Sequence, residues 1–398
     1  MDGEKTGFIK RIVKGFVRSV ISLVSPVRED RMIFAFSSTG LDNSESLLDY
    51  IRANSDEVRI GVRAETRQDL RLFREKYRDD KRISVFIKES RPLFAYWFLM
   101  TSKYVFFTNS SALHVANKRK GQLVINLWHG CGYKNIQNPS NKWIDGSMFD
   151  YVLVPGKVFV EAKAMFFSCR KEQVLPIGYP RYDMMRKRYP QMERELKKHL
   201  YRKVVVWMPT FRKVASGEAP ESEIQRDFDL PLLDSEEELK QLNSFCSQRQ
   251  ILLYIKKHPA QIPYTSENLN LSNIVFLSHE DLERKEIWAC ELLTAADALI
   301  SDYSSAAIDY LLLDRPVAFA LADFEAYKDT RGFVFADPLK YMPGHHLYTF
   351  ADMKAFLDDV VQGLDPYAEE RHQIMSEVHN PCANYCARVW ETLQALES

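Results

Sequence analysis

Charge of one sign is what this chain most plainly lacks: 54 Lys and Arg stand against 54 Asp and Glu in 398 residues, so the formal net charge is zero. No global field draws it to nucleic acid or to an acidic polymer, and any electrostatic function has to be local. Long apolar runs are missing too. The longest, Leu93 to Met100, is eight residues, far short of the roughly 20 that a membrane-spanning helix needs. The six cysteines (131, 169, 246, 290, 382 and 386) include no CxxC pair. That leaves neither a disulfide framework nor a zinc-ligand spacing and fits a reducing cytoplasm. Also absent are GxxxxGK[ST], GxSxG and HExxH, which argues against a P-loop NTPase, a nucleophile-elbow hydrolase and a zincin. No cofactor and no metal is called for. His345 and His346 are adjacent, and neighbouring side chains seldom converge on one ion.

What is present is apolar and aromatic material, 46% and 12% of the chain, enough for two or three domains. The N-terminus has a pattern of its own. Phe8, Ile9, Ile12, Val13, Phe16, Val17, Val20, Ile21 and Val24 recur at helical spacing, with Lys5, Lys10, Arg11, Lys14 and Arg18 between them and no acid from 5 to 24. Residues 1–27 therefore read as a retained amphipathic helix, ending near Pro26, whose basic face suits an anionic membrane surface. The bland alternative is a helix packed on the protein's own core.

From Met32 onward short β-rich runs alternate with amphipathic stretches such as 44–54 and 65–77. The runs are MIFAF at 32, VRIGV at 58, ISVFI at 83, YVFFT at 104, LVINLW at 123 and YVLVP at 151. A charged segment at 186–203 reads as helical and as a hinge, after which the pattern restarts with KVVVWMP at 203, ILLYIK at 251, NIVFL at 273, ALIS at 298 and PVAFAL at 316. Alternation of this kind predicts α/β architecture with parallel sheets. The expected division is 28–190 for a first Rossmann-like domain and 191–398 for a second, with the C-terminal helices free to pack back on the first. The polar stretch 213–231 reads as a loop over a cleft.

Ligands of open α/β sheets bind beyond the carboxyl ends of the strands, so polar residues there carry the most functional weight. Trp128, His129 and Gly130 end one strand in NLWHGCGYK, where a histidine serves as a general base and glycines admit a ligand close to backbone. MPTFRK and YIKKHPA end two more strands and bring Arg212 and His258 to one edge, a fork and a hydrogen-bond donor for phosphate. ISDYSSAAIDYLLLDRPVAF places Ser304 and Ser305 at a helix start, where free N–H groups favour an anion. Taken singly, each has an ordinary reading as a surface cation, a core histidine or an N-cap.

The ordered set NLWHG with GYK, MPTFR, KKHP, ISDYSS with ID, LL and RP, and DFEAYKDTRGF (323–333) resembles the CDP-glycerol glycerophosphotransferase family of teichoic-acid and capsule synthesis. The likeness runs from roughly 100 to 380, and LDNSES (41–46) and FTNSS (107–111) resemble its earlier motifs more weakly. The resemblance implies a GT-B-like fold with two Rossmann-like domains facing across a cleft. It implies attack of an acceptor hydroxyl on the β-phosphorus of CDP-glycerol or CDP-ribitol, with release of CMP. The acceptor would be a lipid-linked glycan, and the site of action the cytoplasmic face of the cell membrane, with the protein held there peripherally. By the same resemblance His129 stands near the acceptor hydroxyl, and His258, Arg212, Ser304 and Ser305 stand at the diphosphate, with His129 and His258 as the catalytic pair. Trp128, Gly130, Lys134, Thr210 and Asp302 complete the substrate-binding motifs. Asp323, Glu325, Arg331 and Gly332 match the later motif, whose acids would hold ribose hydroxyls. The family usually has Thr-Pro-Leu where this chain has Cys131-Gly132-Tyr133, which points to a different acceptor or polyol. A GT-B glycosyltransferase using a nucleotide sugar and a silent membrane-bound scaffold are the competing readings.

Overall fold

An apolar strand buried on both faces needs helices above and below it, and this chain builds two parallel sheets on that plan. A computed structural model describes residues 20–21, 25–36, 41–87, 90–108, 118–135, 145–196, 198–210, 230–256, 270–284 and 289–396, without the side chains of 41–42, 279 and 283–284. The first sheet contains β1 (Arg28–Ala35), β2 (Arg59–Ala64), β3 (Ile83–Ile87), β4 (Ser102–Phe107), β5 (Leu123–Asn126), β6 (Tyr151–Leu153) and β7 (Val174–Leu175). Their order is β3-β2-β1-β4-β5-β6-β7. The second contains β8 (Lys203–Trp207), β9 (Ile251–Lys256), β10 (Ile274–Leu277), β11 (Ala298–Ser301), β12 (Val317–Ala320) and β13 (His345–Leu347), in the order β10-β9-β8-β11-β12-β13. Every pairing between these strands is parallel. The fold is α/β and GT-B-like.

Each sheet reverses its winding once, between β1 and β4 and between β8 and β11. At such a point the loops leaving the strand ends diverge and open a crevice. The period-2 alternation of β8 shows how the halves share a core. Val204 and Val206 join an apolar cluster continuous with the first half, whereas Val205 and Trp207 face a separate cluster on the opposite side of the sheet. The chain then returns. Helix Tyr385–Ala395 lies back on the first half, with Trp390 4.9 Å from the ring of Tyr104. Asp183 accepts from the N–H groups of Tyr385 and Cys386 at 2.7 and 2.8 Å.

Two expectations need correction. The segment 186–203 is not one charged helix: only Pro190–Glu195 is α-helical, with a 3-10 turn at Lys198–Leu200. Pro190 has no N–H to continue a preceding turn and pushes Tyr189 out of the helical region, so a helix can begin there but not run through. Strands β7 and β13 were not expected, because two and three residues carry no readable period. The apolar run at 93–100 forms helix Pro92–Thr101, which buries Ala95, Phe98 and Met100. Most of the N-terminal amphipathic stretch, and all but two residues of the polar loop 213–231, lie outside the described residues. Among the described residues no helix is long and apolar enough to cross a membrane.

Candidate active site

At the end of β5 the side chain of Asn126 accepts from the backbone N–H of Trp128 at 2.9 Å and turns the chain at the sheet edge. Trp128 takes a left-handed backbone conformation, φ 52°, which costs a non-glycine residue about 1–3 kcal/mol. Asn43 holds it there, donating from Nδ2 to the carbonyls of Leu127 (3.2 Å) and Trp128 (2.8 Å). The strain thus falls on the residue just before His129.

The next residues lie flat on the second half. A Cβ on Gly130, whose φ is 152°, would sit 2.7 Å from Oγ of Ser305, and one on Gly132 would sit 2.8 Å from the backbone nitrogen of Ser305. No side chain fits at either position. Tyr133 N–H donates to the carbonyl of Tyr303 (3.3 Å), Val334 N–H to that of Tyr133 (2.8 Å), and Asn135 N–H to that of Gly332 (3.0 Å). The Tyr133 hydroxyl donates to the carbonyl of Tyr341 at 2.6 Å. The loop that begins in the first sheet is therefore hydrogen-bonded into the surface of the second.

On that second surface Asp302 is buried and accepts from the backbone N–H of Thr210 (2.7 Å) and its hydroxyl (2.5 Å), joining the ends of β8 and β11 across the switch point. Ser304 caps helix Ser305–Tyr310 by accepting from Ala306 N–H at 3.3 Å. That helix has only six residues, so its dipole is small, and half-buried Ser305 is the hydroxyl offered to the cleft.

Two residues that the sequence reading passed over complete the junction. The Arg181 guanidinium donates from Nη2 to Oδ2 of Asp309 at 2.6 Å and from Nη1 to the carbonyl of His129 at 3.2 Å. Its backbone N–H donates to Asn43 Oδ1 at 3.2 Å, and the Tyr182 hydroxyl donates to the other oxygen of Asp309 at 2.9 Å. A polar turn directly after a strand end was the available signal. It was hidden because β7, which precedes Gly178-Tyr179-Pro180-Arg181, is two residues long. Asn43, Trp128, His129, Arg181, Ser305 and Asp309 line a cavity of about 200 Å³ between the halves, closed on its apolar side by Met208 and Leu293.

His129 is solvent-exposed as a residue, yet protein atoms crowd closely around its ring. That crowding, then the positive charge of Lys163 and more weakly that of Arg181, lowers the imidazole from 6.5 to about 4, against the opposing pull of the Thr108 carbonyl. His129 is therefore neutral at pH 7. Its Nδ1 lies 3.5 Å from that carbonyl; a proton held there leaves Nε2 with a lone pair to accept another. Lys163 is the second residue missed. It is only 5% exposed, with Nζ 4.9 Å from the Trp128 ring centroid and 4.8 Å from that of Phe166, and burial lowers its ammonium.

The remaining expected residues divide. Lys134 is half-buried, and its backbone pairs with Phe333 in an antiparallel bridge. Arg212 and His258 lie outside the described residues. The two acids of the later motif do not converge on a shared hydroxyl site. Asp323 is buried and accepts from the Tyr303 phenol at 3.0 Å, whereas Glu325 is exposed and faces Lys328 at 3.9 Å. Gly332 takes φ 74° at the turn, and Nε of Arg331 is buried with no hydrogen-bond partner among the described residues. Cys131 and Tyr133 are buried, the thiol 3.3 Å from the Tyr179 hydroxyl and the Tyr133 ring against Phe319 and Phe335. Their side chains pack in the core and do not line this cavity.

Comparison with known proteins places this geometry in context. A family model described as CDP-Glycerol:Poly(glycerophosphate) glycerophosphotransferase matches residues 17–388. The chain is 27% identical over 358 residues to a teichoic acid ribitol-phosphate primase of Bacillus spizizenii, covering 82% of this chain and 83% of that one. It is 28% identical over 274 residues to a teichoic acid poly(glycerol phosphate) polymerase of the same organism, covering 64% and 65%. Among solved structures it is similar in fold to the wall teichoic acid polymerase TagF, with a TM-score of 0.67 at 21% identity over 97% of this chain and 95% of that one.

Proposed function

The chain belongs to the CDP-glycerol:poly(glycerophosphate) glycerophosphotransferase family, and from that premise we propose that it moves a polyol phosphate from CDP-glycerol or CDP-ribitol to a hydroxyl of a teichoic-acid-type acceptor, releasing CMP. The observation that carries this reading is the union of the His129 loop with the 302–305 turn. His129 and Ser305 line one cavity together with Met208, just beyond β8, an arrangement that supports the reading.

In this reaction the acceptor oxygen forms a bond to the β-phosphorus while the bond from that phosphorus to the bridging oxygen of CMP breaks. The hydroxyl proton passes to Nε2 of His129. A base near 4 is weak in the free enzyme, but the negative charge of a bound diphosphate near the ring favours the imidazolium and raises its proton affinity when it is needed. Arg212 and His258 hold the diphosphate and stabilise the charge that collects on departing CMP. Ser304, Ser305 and Thr210 line the donor side, and Nε of Arg331, buried without a hydrogen-bond partner among the described residues, is available for a donor oxygen. Residues 1–27 attach the enzyme to anionic lipid, in reach of a lipid-linked acceptor.

Incubating the full-length protein separately with CDP-glycerol, CDP-ribitol and UDP-sugars, with a teichoic-acid-type acceptor, tests the assignment. CMP release from a CDP-polyol is expected; UDP release without CMP would overturn it in favour of sugar transfer. His129→Ala should lower turnover by about 10²–10⁴, the usual effect of losing a general base. For the membrane attachment, full-length protein should pellet with anionic vesicles and a chain lacking 1–27 should not. Equal pelleting would make the helix part of the fold.

A further inference from the structure

Lys163 is a buried cation with no counter-charge among the described residues. It belongs to helix Val160–Phe166, and among the described residues no carboxylate or carbonyl pairs with its Nζ. The ring faces of Trp128 and Phe166 offset only part of what it costs to take an ammonium out of water. A chain that gained nothing from this charge would be more stable with an apolar residue of the same length. Its ammonium opens into a cavity, where an anionic ligand would supply the counter-charge that the described residues do not.

The space for one adjoins it. Lys163 lines a second cavity, of about 380 Å³, between its own helix and the segment 333–341, with Lys134 and Lys340 also in the wall. Two carboxylates, Glu161 and Asp337, line it as well, but both are exposed and Glu161 is bound to Lys171 at 2.6 Å. Lys340 is shared with Glu377 at 3.3 Å. Phe159, Phe166 and Phe335 give the cavity apolar walls, which lower the local dielectric and strengthen the field of the ammonium. Gly132, Lys134 and Asn135 form one side of this cavity, while Trp128 and His129, a few residues earlier in the same loop, line the other. The loop is hydrogen-bonded to residues 303, 332 and 334, so it stands as a partition. A phosphate bound at Lys163 is not one of those held beside Ser305.

We infer that the Lys163 cavity is a phosphate subsite for the acceptor chain, placed across the His129 loop from the donor. The inference rests on the polyol-phosphate transferase reading. A chain built of polyol phosphates ends in a hydroxyl one polyol away from its last phosphate, and binding that phosphate on the far side of the loop orients the hydroxyl toward His129.

The test compares full-length wild type, Lys163→Met, Lys163→Arg and, because Lys340 is exposed and safe to change, Lys340→Gln. Melting temperature is measured alone and with inorganic phosphate, CDP-glycerol or a short synthetic glycerol-phosphate oligomer. Without ligand Lys163→Met should melt above wild type. The oligomer should raise the melting temperature of wild type and Lys163→Arg but not of Lys163→Met, and inorganic phosphate should compete with it. In kinetics the KM for the oligomer should rise by about tenfold or more in Lys163→Met and severalfold in Lys340→Gln, with the KM for CDP-glycerol within about twofold. Undiminished oligomer protection in Lys163→Met overturns the subsite. So does a KM rise confined to CDP-glycerol, which would make it a donor site, or protection by phosphate alone with none by oligomer. Failure of the transferase reading looks different: wild type would release no CMP, while Lys163-dependent protection by the oligomer would persist and sustain the anion site.

Discussion

Arg181 and Lys163 flank His129 and are equally buried, each 5% exposed, yet Arg181 meets a carboxylate and a carbonyl whereas Lys163, among the described residues, meets only aromatic rings. Arg181 is matched by Asp309 across the two halves, with Tyr182 on the second carboxylate oxygen. A buried pair satisfied in this way adds little net stability over apolar packing, but it fixes one arrangement of the halves because breaking it is expensive. Lys163 fixes nothing. The difference separates two uses of buried charge in one site: a charge answered within the fold is architecture, and one left unanswered is kept for something the fold does not contain.

The largest effect should come from making the first cation resemble the second. Asp309→Ala leaves the guanidinium and the Tyr182 phenol buried without their acceptor and should destabilise the protein by about 3–5 kcal/mol in chemical denaturation. Replacing both members, Arg181→Met with Asp309→Leu, should recover most of that loss. An Asp309→Ala cost under about 1 kcal/mol, the range of a surface ion pair, would erase the contrast between the two cations.

A slightly smaller effect should appear with acid. His379 is fully buried beside Tyr182, its Nε2 2.8 Å from the carbonyl of Ile308, and burial pushes it down from 6.5 to about 4. Between those values the unfolded chain binds a proton that the native state refuses. Stability is therefore complete above about pH 6.5 and is lost as the pH falls toward 4, by about 3 kcal/mol for this one group. His379→Gln should flatten that part of a stability-against-pH curve. If it does not, the acid sensitivity lies elsewhere.

Smaller again is the contact that does not use charge. Gly132→Ala forces a Cβ against the backbone of Ser305 and Tyr303, where side-chain movement gives no relief. It should cost about 1–3 kcal/mol and reduce turnover further than its stability loss explains, since the shift moves His129 away from the 302–305 turn. Unchanged turnover would show that the Arg181–Asp309 pair alone sets the distance between the halves.

The same contrast explains what could be read in advance. Strands rich in apolar residues, such as MIFAF and KVVVW, announce themselves, and the strand-end rule leads to His129, Ser304 and Ser305, while Thr210 and Asp302 come from the family resemblance. It does not lead to Arg181, because the two-residue β7 before it has no period, nor to Lys163, because a lysine in a short amphipathic helix looks like a solvated charge. Asp309 is part of the ID step of its motif, but nothing local distinguishes a carboxylate that meets a cation 128 residues away in sequence. Buried charge depends on what the fold brings against it. For the same reason the acids at 323 and 325 looked alike in sequence, although one bonds a buried phenol and the other faces solvent.

The smallest effect distinguishes the two cations at the imidazole itself. Both lower the proton affinity of His129, Lys163 more than Arg181. A base that works when neutral fails once protonated, and kcat/KM reports the group in the free enzyme, so the acid limb of kcat/KM should lie near pH 4 rather than at 6.5. Lys163→Met removes one of the causes, so the limb should move upward while the protein crowded around the ring still holds it under 6.5. Lys163→Arg keeps the charge and should leave the limb in place. The Arg181→Met, Asp309→Leu double variant removes a cation together with its anion and should move the limb less than Lys163→Met does. A wild-type limb at 6.5 would mean that His129 is not held neutral by its surroundings. A limb that ignores Lys163→Met would mean that the unpaired ammonium is too well screened to act on the ring, and its charge would then concern the acceptor cavity alone.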